Sequence, residues 1–169
     1  TKASINKAIG GGFSGDYIIQ PANQFSFAGM PRSVTDDLSK IDGVAGVTGI
    51  TFVEGQVTLA NGDQQGVFLG GIDPITTEGI FEFEMAQGSL TDLEPGSMLV
   101  DKAVARDEGV KVGDTLTVLS GSGRSATFKV AAISDSPALL GQWTIHRDDT
   151  AKLVAEPTDF MVGISLDDG

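Results

Sequence analysis

The run Glu94-Pro95-Gly96-Ser97-Met98-Leu99-Val100-Asp101-Lys102-Ala103-Val104-Ala105-Arg106-Asp107-Glu108-Gly109-Val110-Lys111-Val112-Gly113-Asp114-Thr115-Leu116-Thr117-Val118 constrains the fold more than any other part of the chain. Proline and glycine punctuate it. Pro95-Gly96 predicts a turn that launches a short apolar strand, and a small helix follows and stops at Gly109. Gly113-Asp114 then turns the chain into a second strand. The run is strongly organised yet carries no reactive group, so its role is architectural.

The rest of the chain alternates in the same way. Residues 2–9 read as a weak helical start that ends at Gly10-Gly11-Gly12, a run too flexible for a regular element and expected to act as a hinge or linker. It lacks the helix and the Lys-Ser/Thr pair of a phosphate loop, because Phe13-Ser14-Gly15-Asp16 leads into a strand at 16–20. Val34, Leu38 and Ile41 recur at helical spacing, Ser33 with Asp36 has the form of a capping box, and Gly43 is a suitable stop. Strands are expected at 47–53, 56–60 and 66–70, the last two joined by Asn61-Gly62, a strong hairpin signal. After Asp73-Pro74 the pattern over 75–85 is mixed, and suggests a turn of helix before an extended segment. A further hairpin turns at Ser120-Gly121-Ser122-Gly123 and returns through 127–133. The chain then runs through a loop at 134–142, a strand at 143–145, a short helix near 149–154 and a closing strand at 160–166. That strand has no neighbour nearby in sequence, so its expected partner lies in the first section.

A chain of 169 residues can bury about two thirds of its unfolded surface, in one domain or in two small lobes sharing a core. Its net charge of -12 disfavours nucleic acid and anionic lipid, both of which select basic patches. With no cysteine there is no disulfide frame, thiolate nucleophile or thiolate metal site. Thr1-Lys2-Ala3-Ser4 offers neither an initiator Met nor a signal-like stretch, and no segment approaches the roughly 20 apolar residues of a membrane span. The chain reads as a piece excised from a larger protein.

Candidate chemistry is thin. His146 followed by Arg147-Asp148-Asp149 could be a base with its orienting acid, but one His without Cys makes no structural zinc site, and Asp148 or Asp149 reads better as a helix cap. Asp36-Asp37 and Asp167-Asp168 lack the alternating oxygen ligands of a calcium loop and read as solvated ends. Gly121-Ser122-Gly123 lies between two strands and is hairpin chemistry, not a nucleophile elbow. No catalytic residue, cofactor or metal is assigned. The best candidate contact surface is Pro137-Ala138-Leu139-Leu140-Gly141-Gln142-Trp143, where Leu139, Leu140 and Trp143 either meet a partner or are buried by the protein's own core.

Taken in order, Gly70-Gly71-Ile72-Asp73-Pro74, Gln87-Gly88-Ser89-Leu90, the run 98–105, and 109–118 with Val130-Ala131-Ala132-Ile133 resemble the extracytoplasmic domain of MacB/FtsX-type ABC transporter permeases. That resemblance implies a two-lobed α+β fold. A mixed strand-and-helix lobe would come from both chain ends (1–85 and 143–169), with an inserted β-rich lobe from 86–142. It also implies a non-enzymatic domain on the outer face of the bacterial membrane, in a dimeric parent driven by a cytoplasmic ATPase, acting on an extracellular protein, peptide or lipid-linked substrate. The family's aromatic-Val-Pro strand is here Trp143-Thr144-Ile145-His146, and the loop 134–142 departs from the pattern, so contact residues do not transfer. The other classes considered are a secreted or surface binding module without a transporter and a carboxylate-dependent hydrolase.

Overall fold

The computed structural model describes residues 12–20, 29–135 and 141–168. Its chain order begins with β1 (Tyr17–Ile19), β2 (Met30–Pro31), α1 (Arg32–Leu38), β3 (Val44–Thr58), β4 (Gln64–Ile72) and α2 (Pro74–Thr77). It continues through β5 (Met85–Gln87), β6 (Ser97–Asp101), α3 (Lys102–Glu108), β7 (Thr115–Ser120) and β8 (Ser125–Ser134), and ends with β9 (Trp143–His146), α4 (Thr150–Leu153), β10 (Thr158–Asp159) and β11 (Met161–Leu166). The fold is mixed α+β, as expected.

The stretch 94–118 folds as its punctuation predicts. Asp101 caps α3 by accepting from the Ala103 N–H at 2.9 Å, and Gly109 closes the helix in the left-handed conformation at φ 68°. Gly113, at φ 97°, then lets the chain turn against β8: its N–H donates to Val130 O, and Asp114 O accepts from the Val130 N–H.

Two expectations need correction. The Ser33–Asp36 capping box does not form, because α1 begins at Arg32 behind Pro31 and has no side-chain cap, which places Ser33 inside the first turn. The strands expected at 47–53 and 56–60 are one 15-residue strand, β3. Gly55, between the two expected strands, faces inward, and a Cβ there would lie 2.8 Å from Leu119 O, so glycine permits close passage of β7.

β3 is the spine. Its first half pairs with β11, which pairs with β1, to make an open outer sheet that joins both ends of the chain. The first section thus supplies the partner of the closing strand. From Thr51 onward β3 pairs with β4, and from Gly55 with β7. The order β3-β4-β9-β6-β8-β7 returns to β3, closing a six-stranded barrel with no free edge within the ring. Val53, Val57, Leu69, Met98, Val100, Leu116, Phe128, Val130 and Ile145 fill its interior. Residues 1–85 with 143–169 supply β3, β4 and β9, and residues 86–142 supply β6, β7 and β8, so each segment gives three staves of one barrel. A second apolar cluster, including Ile50, Ile72, Phe81, Leu93 and Leu99, packs between the barrel and the outer sheet.

The barrel has an internal two-fold. The β3–β4 and β7–β8 hairpins turn alike: Leu59 N–H donates to Asp63 O and Ser120 N–H to Arg124 O, while Gly62 N–H donates to Leu59 O and Gly123 N–H to Ser120 O. Interior Val57, Val67 and Leu69 match Val118, Phe128 and Val130. Likewise β9 lies parallel to β4 as β6 lies parallel to β8, with Trp143 and Ile145 matching Met98 and Val100. Each of these two strands ends in a capping residue and a short helical segment: Asp101 accepts from Ala103 N–H, and His146 from Asp148 N–H.

Candidate functional site

The outer sheet and the barrel meet around a carboxylate with no solvent exposure, Asp159 of β10. Arg147, in the 3-10 turn Arg147–Asp149 after β9, grips it with two nitrogens: Nη2 donates to Oδ2 at 2.6 Å and Nε to Oδ1 at 3.2 Å. Thr35 of α1 donates to Oδ2 at 2.6 Å, and Thr51 of β3 to Oδ1 at 3.2 Å. A second guanidinium, Arg32, sets Nε 3.9 Å from Oδ1. Its Nη2 donates to Thr51 Oγ1 at 2.9 Å, to Arg147 O at 3.1 Å and to Thr150 Oγ1. Five elements from three separate stretches of the chain are thereby tied at one point.

Two cations share one anion here. Burial, and after it the nearby Arg147, push the Arg32 guanidinium below the ordinary arginine value, against the opposing pull of Asp159. Arg32 Nε is buried and makes no hydrogen bond among the described residues. The centre fits only because glycine lines it. A Cβ at Gly49 would sit 2.6 Å from Asp159 Cγ, and one at Gly71 2.5 Å from Thr150 Cγ2. Gly49→Ala is therefore expected to displace the carboxylate and to cost about 1–3 kcal/mol, the usual range for an overpacked buried site; a denaturant midpoint unchanged from wild type would contradict this.

Chemically the arrangement holds shape. Both Asp159 oxygens are occupied by guanidinium and hydroxyl donors, and the carboxyl has no open face from which to attack or to take a proton. His146 is committed as well, its Nδ1 accepting from the Asp148 N–H at 3.1 Å. His146 thus caps the 3-10 turn, while Asp149, expected with Asp148 as a helix cap, stands at the N-cap position of α4 without a side-chain cap bond. Asp149 is turned elsewhere, accepting from Gly96 N–H at 2.6 Å and pairing with Lys152 Nζ at 2.7 Å. Asp36, Asp37, Asp167 and Asp168 are exposed. Among the described residues no three His, Cys, Asp or Glu side chains gather as metal ligands.

Of the residues picked out for contact, Trp143 is 3% exposed and stands inside the barrel, opposite Leu69 and Val100, which is the core alternative left open by the sequence. Leu139 and Leu140 lie outside the described residues, as do Gly10 and Gly11 of the glycine run. Gly12 accepts at 2.7 Å from the N–H of Glu82, beside the Phe13–Phe81 bridge. The Asp159 centre was missed in the sequence because its members fall in separate strand, helix and loop positions, none of which signals a site by itself. Its traces are Gly49 and Gly71, glycines inside strands, which mark close approach of another group.

A closed barrel carried on an outer sheet, with its buried ions locked into a joint, defines a scaffold domain. The chain belongs to the MacB-like periplasmic core domain family, whose profile matches residues 1–161. It is an extracytoplasmic domain of the MacB/FtsX type of ABC transporter permease. Solved structures share the fold. The extracellular domain of the noncanonical ABC-type transporter YknZ from Gram-positive bacteria has a TM-score of 0.65 at 12% identity, covering 85% of this chain and 76% of that one. A domain of a permease protein from Porphyromonas gingivalis has a TM-score of 0.64 at 16% identity, covering 85% and 65%. The periplasmic region of MacB from Actinobacillus actinomycetemcomitans has a TM-score of 0.64 at 16% identity, covering 94% and 74%. No curated protein matches the chain in sequence. No helix among the described residues is long and apolar enough to cross a membrane.

Proposed function

We propose that this domain carries an ATP-driven conformational change from the membrane part of its permease to a substrate or partner outside the cell. The observation that supports this reading is β3, one strand of 15 residues that belongs to both the outer sheet and the barrel. At about 3.3 Å per residue it reaches some 45–50 Å, and it has no loop at which motion would dissipate. Both chain ends enter through β1 and β11 beside its first half. The Asp159 centre stiffens the joint where β3 passes from sheet to barrel. Movement would enter at the terminal linkers, including Gly10-Gly11-Gly12, with ATP hydrolysed by a cytoplasmic subunit of a dimeric parent and an exported or extracted protein, peptide or lipid-linked molecule as load.

The test is a separation of functions in the full permease with its ATPase. Arg32→Gln weakens the joint while leaving the Arg147–Asp159 pair in place. Transport is expected to fall several-fold while ATP hydrolysis continues. Unchanged transport by a folded variant with a measurably loosened joint would count against the coupling.

A further inference from the structure

The outer wall of the barrel carries an apolar patch that the barrel itself does not require. Phe68 on β4 is 54% exposed and Leu119 on β7 is 45% exposed. They flank β3 on its outward side, Phe68 opposite Glu54 and Leu119 opposite Gln56. Phe52 continues the patch along β3, its ring set edge-on to Phe160 with 5.4 Å between centroids. Gly66 and Gly70 stand on either side of Phe68 on the same face, so no side chain of β4 rises beside its ring.

The internal two-fold supplies the control. The two-fold carries Phe68 and Leu119 to Lys129 and Thr58, and Glu54 and Gln56 to Thr115 and Thr117. Backbone and interior match there, while the outward positions are polar: Lys129, Thr115 and Thr117 are exposed and Thr58 is half-buried. Exposed apolar side chains gathered on one half of a symmetric wall signal a contact surface.

Charge selects the occupant. Glu54 is exposed at the centre of the patch, and among the described residues no hydrogen bond or ion pair engages its carboxylate. A second copy would bring two Glu54 side chains and two chains of net charge -12 together. A partner with an apolar surface and a basic side chain at its centre would instead bury Phe68 and Leu119 and neutralise Glu54. We infer that the Phe68–Glu54–Leu119 face docks an apolar, centrally basic segment of a different protein or peptide. This inference is independent of the coupling reading, because binding is measured without transport.

The probe is a synthetic amphipathic Leu/Lys helix, titrated into the 169-residue chain at about 150 mM salt, where the Debye length is about 8 Å and diffuse attraction is largely screened. Its Leu/Glu counterpart is the control. Amide shifts are expected to map to Glu54, Phe68 and Leu119. The double variant Phe68→Thr with Leu119→Thr, which gives this wall the character of its equivalent, should weaken binding about tenfold or more. Glu54→Lys should abolish binding, while Lys129→Thr on the equivalent wall should change it less than twofold. Equal binding by the Leu/Glu helix, no binding at all, or binding indifferent to the double variant would overturn the inference. So would concentration-dependent dimerisation that the double variant abolishes, which would assign the face to a second copy of the chain. Circular dichroism of each variant establishes that a loss of binding is not a loss of fold.

Discussion

Asp159→Ala is expected to destabilise the domain by about 3–5 kcal/mol, the loss typical when one member of a buried ion pair is removed and its partners stay behind. Here two guanidinium groups would be left, Arg147 and Arg32, together with the Thr35 and Thr51 hydroxyls that now donate to the carboxylate. For a domain of this length that corresponds to a fall in melting temperature on the order of 10 °C. Asp159→Asn separates charge from shape. It keeps nearly the same volume and one acceptor oxygen, so a loss it shares with the alanine variant belongs to the missing charge and to the donors that now face its amide NH2, and not to a cavity. Thermal unfolding followed by circular dichroism reads both, and a loss under about 1 kcal/mol for the alanine variant would show that water or neighbouring acids replace the carboxylate easily.

Trp143→Ala carries the second large effect, about 3–5 kcal/mol for truncating a buried aromatic. The indole fills the barrel between Leu69 and Val100, in a ring whose staves cannot close the gap without breaking their own pairing. The same substitution decides between the two roles that the sequence left open. A core role gives a large drop in stability with partner binding retained by whatever fraction is folded, whereas a contact role would give the reverse. Trp143→Phe, which keeps most of the volume, should recover the greater part of the loss.

Much of this architecture was readable from residues. Pro95-Gly96, Gly109 and Gly113-Asp114 mark the ends of elements because few conformations are open to them, and Asn61-Gly62 fixed a hairpin for the same reason. Apolar alternation located most strands to within a few residues. What stayed hidden depends on registers between segments far apart in the chain. The continuity of β3 through Gly55 was hidden because the group that glycine admits there, Leu119 O, is remote in sequence. The barrel's two-fold has almost no sequence signature, since Val67 is matched by Phe128 and Trp143 by Met98, pairs that share burial and little else. The Asp159 centre was illegible for a related reason: Arg32, Thr51, Arg147 and Asp159 form a site only when four elements converge. Spacing along a chain cannot express that convergence.

The two halves of the barrel differ at one seam. In one half, α3 is joined to β7 by the short link 109–114, closed by Gly113 and Asp114 against Val130. In the other, the matching seam between α4 and the barrel part of β3 is occupied by the whole outer sheet, with both chain ends issuing from it. The ring itself is closed all the way round, and the chain enters and leaves it at one seam while a short link bridges the other. In the coupling proposed above, torque entering at the seam that carries the chain ends would be resisted at the bridged one, with the stretch 94–118 as the fixed jaw.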